Sequence, residues 1–268
     1  DHEDANGQFE SNFNYDDALI TCDRAIFFRY MVHVMAQQRG KLATFMPKPF
    51  GHLTGNGCHF HISLWDKSGE KNLFDGTGDA HGYGLSDDAY HFIAGLIQHA
   101  EAVSAIVAPT VNSYKRIGVG APDSGATWSP AYAAWGGNNR TQMIRVPGGP
   151  RIEHRGIDGS ANPYLAATAV LAAGLDGIER KLDPGAQNTA NLYTATAQEV
   201  RRKRIKGLPT TLADATVALR KDAVLRDWFG HTGTEHYSDY FADTKLGEFQ
   251  AWHSQVSDWE VDRYLTLF

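Results

Sequence analysis

The sequence predicts an α+β fold, and three observations point to it. Two short runs alternate polar and apolar residues with a period of two. Several longer stretches instead carry helix start and stop signals, and glycine-rich loops lie between them. The first strand-like run is Arg151-Ile152-Glu153-His154-Arg155. Alternate side chains of a strand share a face, so Arg151, Glu153 and Arg155 point one way and Ile152 and His154 the other. A carboxylate between two guanidiniums can hold a metal ion while the arginines hold anions, as a site handling nucleotide phosphate requires. In the second run, Cys58, Phe60, Ile62 and Leu64 make an apolar face, while His59, His61 and Ser63 line the opposite one. Two strands, greasy behind and chemically armed in front, make the floor of an active site.

The other elements follow in chain order. Asp16 or Asp17 caps a helix running to about Arg39, and Gly40 stops it. Lys41 to Met46 reads as a short strand broken by Pro47-Lys48-Pro49, and Gly55 and Gly57 mark a tight approach into the His59 strand. Glycines from Gly69 to Gly84 punctuate a loop region. Ser86, with Asp87 and Asp88, then opens one long helix ending before Pro109. Gly118 to Pro130 is a long functional loop of lid-like composition. Met143–Val146 and Arg151–Arg155 are strands joined by a turn at Pro147-Gly148-Gly149-Pro150. Asn162 and Pro163 start a helix that continues to Leu182. From Gln198 onward several helices follow, with Trp228, Phe229, Phe241, Phe249, Trp252 and Trp259 as packing anchors.

The chain has 268 residues, 42% of them hydrophobic and 21% charged, which is ordinary globular composition and excludes disorder. A net charge of −6 argues against a dedicated nucleic-acid binder. The cluster Arg201-Arg202-Lys203-Arg204 reads as a solvated helix face or an interface. Two cysteines, Cys22 and Cys58, give no disulfide framework and suit a reducing cytosol. Tyr164 to Leu175, the most apolar stretch, is too short to span a bilayer, so a cytoplasmic location without membrane partners is expected. No signal peptide is visible. The opening Asp1-His2-Glu3-Asp4, without an initiator Met, looks like the interior of a longer polypeptide.

Glu3 and Glu10, seven residues apart, join His59 and Glu153 in an oxygen-rich set with one imidazole. That mixture suits Mg²⁺ or Mn²⁺ better than Zn²⁺. His61 and Ser63 also have a plainer reading as polar strand residues bonded to neighbours. Arg116, Arg140, Arg145, Arg151 and Arg155 crowd into a stretch poor in acids. Scattered surface charge is a weak account of Arg145, Arg151 and Arg155, which sit among apolar residues. A buried arginine needs an anionic partner, which phosphate or a substrate carboxylate supplies.

Together these runs resemble the ordered motifs of the glutamine synthetase catalytic domain. The resemblance is carried by Glu3 to Glu10, Phe45-Met46-Pro47-Lys48-Pro49, Asn56 to Ser63, Tyr114-Lys115-Arg116, Asn139-Arg140, Ile144 to Pro147, Arg151 to Arg155 and Asn162 to Leu165. It implies a curved antiparallel sheet flanked by helices, with residues 1–268 forming one catalytic domain. The family's N-terminal β-grasp domain and its Glu-x-Glu strand are expected to lie outside this chain. The implied reaction transfers the ATP γ-phosphate to the γ-carboxylate of L-glutamate, after which ammonia displaces phosphate. Glu3 and Glu10 would hold one Mg²⁺ or Mn²⁺; His59 and Glu153 would hold another, on the ATP phosphates. His61, Ser63, Arg145 and Arg151 would lie on the ATP side. Gly55, Arg116 and Arg155 would bind glutamate, and Arg140 and Arg145 would stabilise the transferring phosphoryl group. A homo-oligomer, commonly a dodecamer, is also implied.

Two departures bear on the substrate. Thr54 stands where the family has Asn before the glutamate-binding glycine. The loop after Tyr114-Lys115-Arg116 is longer and lacks the family's catalytic Glu. Asp123 is its only acid and hence the candidate for binding or deprotonating the amine. A shorter carboxylate on a rebuilt loop leaves room for more than ammonium, so methylamine is the alternative acceptor and a polyamine a more distant one. Asn191-Leu192-Tyr193 is similar to the modification site of some bacterial members, although Thr194 replaces the acid that follows. The rival of a different class is a non-catalytic relative that keeps the fold as a scaffold; the intact arginine and metal-ligand sets count against it.

Overall fold

The computed structural model describes residues 2–76, 79, 81–117 and 128–268. The described elements run α1 (Ala18–Gln37), β1 (Phe60–Ile62), α2 (Asp87–Gln98), α3 (Ala100–Val107), β2 (Tyr132–Ala133), β3 (Trp135–Gly136), β4 (Ile144–Arg145), β5 (Ile152–His154) and α4 (Pro163–Glu179). They continue with α5 (Ala197–Arg202), β6 (Lys206–Gly207), α6 (Leu212–Lys221), α7 (Ala223–Phe229), β7 (His231–Thr232), β8 (Glu235–His236), α8 (Tyr237–His253) and α9 (Asp258–Tyr264). The α+β class holds. No described helix is long and apolar enough to cross a membrane.

The helix starts follow from local chemistry. The Asp17 carboxylate accepts the Leu19 amide at 2.9 Å, and Gly40 takes φ +65° just past the end of α1. Asn162 caps α4 by accepting the amides of Tyr164 and Leu165, with Pro163 in the first turn, as the sequence predicts. Residues 41–46, expected as a strand, form none. Their backbone is held from the side instead: the Asn56 amide donates to the Met46 carbonyl, and Gly159 crowds the Phe45 carbonyl. Of the predicted anchors near the C-terminus, Phe229, Phe241 and Phe249 pack on the core, while Trp228, Trp252 and Trp259 are exposed.

The main sheet has the order β1-β5-β4-β3. β1, β5 and β4 are antiparallel and β3 joins β4 in parallel. Register sorts the residues into two rows. Phe60, His154, Ile144 and Trp135 are cross-strand partners, and this row faces the core with Ile144, Trp135 and His154 buried. His61, Glu153, Arg145 and Gly136 form the adjacent row on the other face. Behind the sheet, α2 and α4 pack so closely that their backbones touch. A Cβ on Gly95 would lie 2.0 Å from the Ala173 carbonyl oxygen, and one on Gly177 would lie 2.1 Å from that of His91.

The single long helix expected from Ser86 to Pro109 is instead two, α2 and α3, divided at His99. Its imidazole makes contacts from this corner to two other elements. Nδ1 lies 2.6 Å from Asp222 Oδ2 and Nε2 lies 3.0 Å from Asp176 Oδ2, so one buried ring ties the α2–α3 corner to α4 and to the cap of α7. Burial alone would push His99 down, but Asp222 and Asp176 outweigh it and hold the ring above its ordinary value. Asp222 moves the other way; burial would raise it, but His99 draws it below the usual carboxylate range. The stability His99 contributes is therefore fully present below about pH 6.5 and is lost as pH rises through the raised folded value. Asp222 contributes above about pH 3.9 and loses its share as pH falls further. His99→Gln is expected to lower the melting temperature most near pH 5–6, roughly midway between those ordinary values, and least in alkaline solution. Melting curves across pH check this, and a pH-independent gap would remove ring charge from the explanation.

Candidate active site

The polar row of the sheet gathers the sequence-predicted residues around Glu153. Its carboxylate is buried and ligated on both oxygens. Arg145 donates to Oε2 at 2.7 Å and Arg155 to Oε1 at 2.6 Å, with His59 Nδ1 3.2 Å from Oε1. These contacts follow from register. Arg145 lies directly across from Glu153 on β4, Arg155 is two residues along on the same face, and His59 precedes Phe60 on the neighbouring strand. Burial would raise the Glu153 carboxyl, but His59, Arg155 and Arg145 hold it well below the usual range. His59 is pushed down to about 4, chiefly by burial with Arg155 and Arg116 adding, so at neutral pH its ring is uncharged and able to ligate.

On the outer side of the row, Arg151 donates to His61 Nδ1 at 3.3 Å, which brings these two predicted residues together. Ser63 Oγ accepts the Trp65 indole N–H at 3.0 Å, and Trp65 stacks on Tyr15. Arg116 is buried beneath the site and donates to the carbonyls of Arg155 and Gly156 at 3.1 and 3.3 Å. The two predicted close approaches are real. A Cβ on Gly55 would sit 2.4 Å from the Pro47 carbonyl oxygen, and one on Gly57 would sit 2.7 Å from His59 Nε2. Asp123 lies outside the described residues, as does most of the predicted loop from Gly118 to Pro130.

Glu3 and Glu10 come together through a hairpin. His2 bridges Phe9, the Glu3 amide donates to the Gln8 carbonyl at 3.0 Å, and Gly7 turns the chain with φ +77°. The neighbouring Glu10 carboxyl raises Glu3 above its ordinary value; burial adds to the rise, and nearby Arg140 opposes it. Two adjacent carboxylates disfavour each other's charge, and a divalent cation between them relieves that repulsion. The donor set therefore fits a hard cation, with His59 and Glu153 as a second, mixed pair. Among the described residues no three His, Cys, Asp or Glu side chains are gathered into one cage. Mg²⁺ does not need such a cage, because it keeps waters and substrate phosphates among its ligands.

Three residues were not legible as site residues. The Gln8 side chain donates to the Gly55 carbonyl and to Asn56, at 3.0 and 2.8 Å, tying the acidic hairpin to the glycine loop. The Trp128 carbonyl accepts from Arg155 at 2.8 Å, and its ring lies 5.9 Å from the Arg140 guanidinium carbon. The Tyr193 hydroxyl donates to the Ser129 carbonyl at 2.7 Å, which packs this residue into the site's edge. Only the position of Gln8 between Glu3 and Glu10 offered a sequence signal; the other two contacts depend on loop geometry.

The family model for the glutamine synthetase catalytic domain matches residues 1–264. The chain is 48% identical over 268 residues to a glutamate–methylamine ligase from Methyloversatilis universalis, covering 100% of this chain and 59% of that protein. It is 46% identical over 261 residues to a glutamine synthetase from Rhizobium meliloti, covering 97% of this chain and 58% of that one. A solved GmaS–ADP complex superposes with a TM-score of 0.89 at 50% identity, over 98% of this chain and 58% of the other. The chain thus spans less than two thirds of the length of the relatives it matches.

Proposed function

We propose, from the premise that this chain belongs to the glutamine synthetase family, that it is the catalytic portion of an ATP-dependent glutamate–amine ligase. The observation that carries the reading is the buried Glu153 carboxylate, held by Arg145, Arg155 and His59 on one face of the sheet. Such a cluster is costly to bury and gives a fixed positive surface against which a phosphoryl group can transfer. In this reading the γ-carboxylate of glutamate attacks the γ-phosphate of ATP and expels ADP, and the amine, giving up a proton, then displaces phosphate from the acyl phosphate. Arg116, Arg155 and Gly55 bind glutamate. Arg140 and Arg145 face the transferring phosphoryl, while His61, Ser63 and Arg151 line the nucleotide side. Glu3 with Glu10, and His59 with Glu153, would each hold a Mg²⁺ or Mn²⁺, which neutralises charge developing on phosphate oxygens. Asp123 is the proposed group for the incoming amine. Family membership also supports assembly into a homo-oligomer in the cytoplasm.

Two acceptors are in play. The likeness to relatives named glutamine synthetase supports ammonia, whereas the likeness to a glutamate–methylamine ligase and to GmaS supports methylamine. The test is glutamate- and ATP-dependent phosphate release by the full-length protein, with the two amines at matched free-base concentration. Higher kcat/KM with methylamine makes it a glutamate–methylamine ligase, and higher kcat/KM with ammonia makes it a glutamine synthetase. Release with neither sinks both readings.

A further inference from the structure

We infer that Trp128 is a positioning residue that fixes Arg140 and Arg155 relative to one another. The inference rests on the ligase reading above for the roles of those two arginines. Trp128 is one of only a few described non-glycine residues at positive φ, at 43°, a conformation that a bulky side chain rarely adopts. Such strain persists where the surroundings over-determine it, and here the determinants are visible. Arg155, itself buried, donates from one guanidinium nitrogen to the Trp128 carbonyl at 2.8 Å. One residue later, the Ser129 carbonyl is pinned by the Tyr193 hydroxyl at 2.7 Å. Two successive carbonyls are thus held from different directions, and the peptide between them has little freedom to relax.

The twist at φ 43° carries the indole toward Arg140, whose guanidinium carbon lies 5.9 Å from the ring centroid. Indole offers the strongest aromatic attraction for a cation, and the ring is only partly covered. Arg140 makes its charge felt at Glu3. Its side chain is long and exposed, and an aromatic face limits the rotamers it samples. The backbone of Trp128 therefore touches the arginine assigned to glutamate, and its ring touches the arginine assigned to the phosphoryl group. Arg155 closes the circuit by also donating to the Arg140 carbonyl at 3.3 Å.

The test uses full-length protein carrying Trp128→Ala, Trp128→Phe, Arg140→Gln, or Trp128→Ala combined with Arg140→Gln. Phosphate release is measured with ammonia and with methylamine. Trp128→Ala is expected to lower kcat by about 10- to 100-fold, the range seen when groups that orient a reactive residue are removed, and by the same factor with both amines. Trp128→Phe keeps an aromatic face and is expected to stay within about threefold of wild type. The double variant is expected to be no slower than Arg140→Gln alone, because residues acting through one another do not add. A merely structural role would not produce that non-additivity. Wild-type kcat in Trp128→Ala, or losses that multiply in the double variant, would overturn the inference. A loss confined to one amine would also overturn it, placing Trp128 against the amine itself. If Trp128→Ala misfolds, the Phe variant still decides: a loss as large as that of Arg140→Gln contradicts a role for the ring face. An inactive wild type instead overturns the ligase reading, and this inference with it.

Discussion

Glu153→Gln is expected to abolish most of the activity and to destabilise the fold at once. The substitution keeps the shape but removes the charge between Arg145, Arg155 and His59, whose contacts with it are 2.7, 2.6 and 3.2 Å. A glutamine can present its carbonyl oxygen to one arginine, but its amide nitrogen then faces the other, donor against donor. Removing one partner from a buried charge network costs about 3–5 kcal/mol, because the remaining charges keep their desolvation penalty. Turnover is expected to fall by about 100-fold or more, the scale for loss of one preorganised electrostatic element. The pH dependence has a definite sign. Glu153 titrates well below its ordinary value when folded, so its contribution is present above about pH 4.3 and is lost only as pH falls through the depressed value. The stability gap between wild type and variant should stay constant from about pH 5 to 8 and narrow in acid. Urea denaturation and phosphate release measure the two effects. Unchanged turnover in a folded variant would remove Glu153 from the chemistry.

Gly177→Val is expected to unfold or loosen the protein far from the site. In an ordinary helix, replacing glycine improves helix propensity by up to about 1 kcal/mol. Here even a Cβ would lie 2.1 Å from the His91 carbonyl oxygen and 2.7 Å from the Gly95 amide nitrogen. Those are backbone atoms of the neighbouring helix, so no rotamer change relieves the clash, and α2 and α4 must separate. Overpacking of this kind costs roughly 1–3 kcal/mol and more where the backbone itself must move. Gly95 and Gly174 face the same seam; a Cβ on Gly174 would lie 2.2 Å from the Phe92 ring. A thermal melt is the check: a stability near that of wild type would mean that the two helices are not held at this spacing.

The two strands were legible because their chemistry alternates on the strand period. Their register places Arg151, Glu153 and Arg155 apart from Ile152 and His154, as the alternation in the sequence requires. The capped starts of α1 and α4 were equally plain, since Asp17, Asn162 and Pro163 act within a few residues of themselves. What escaped were effects of partners distant in the chain. His99 looks like any helical residue until Asp176 and Asp222, distant in the chain, close on its ring at the α2–α3 corner. Lys41 to Met46 has the composition of a strand, but pairing needs an open ladder edge, and these residues meet side chains instead. The exposed Trp228, Trp252 and Trp259 show the same limit, because aromatic composition records a large surface without saying what covers it. At the site, the sequence indicated which groups belong together, and the structure supplied Trp128, whose part depends on a backbone angle.

The polar row also makes a small electrostatic lens. Arg145, Arg151 and Arg155 lie along this face, while the chain as a whole carries −6. Glu153 cancels only part of their charge. The excess positive charge of this row draws a small anion toward it, and low-dielectric walls around such a row focus the field. Capture at such a row is faster than random collision and weakens as added salt shortens the reach of the field to about 8 Å under physiological conditions. The guanidiniums along this face would thus also bias the direction from which an anion arrives.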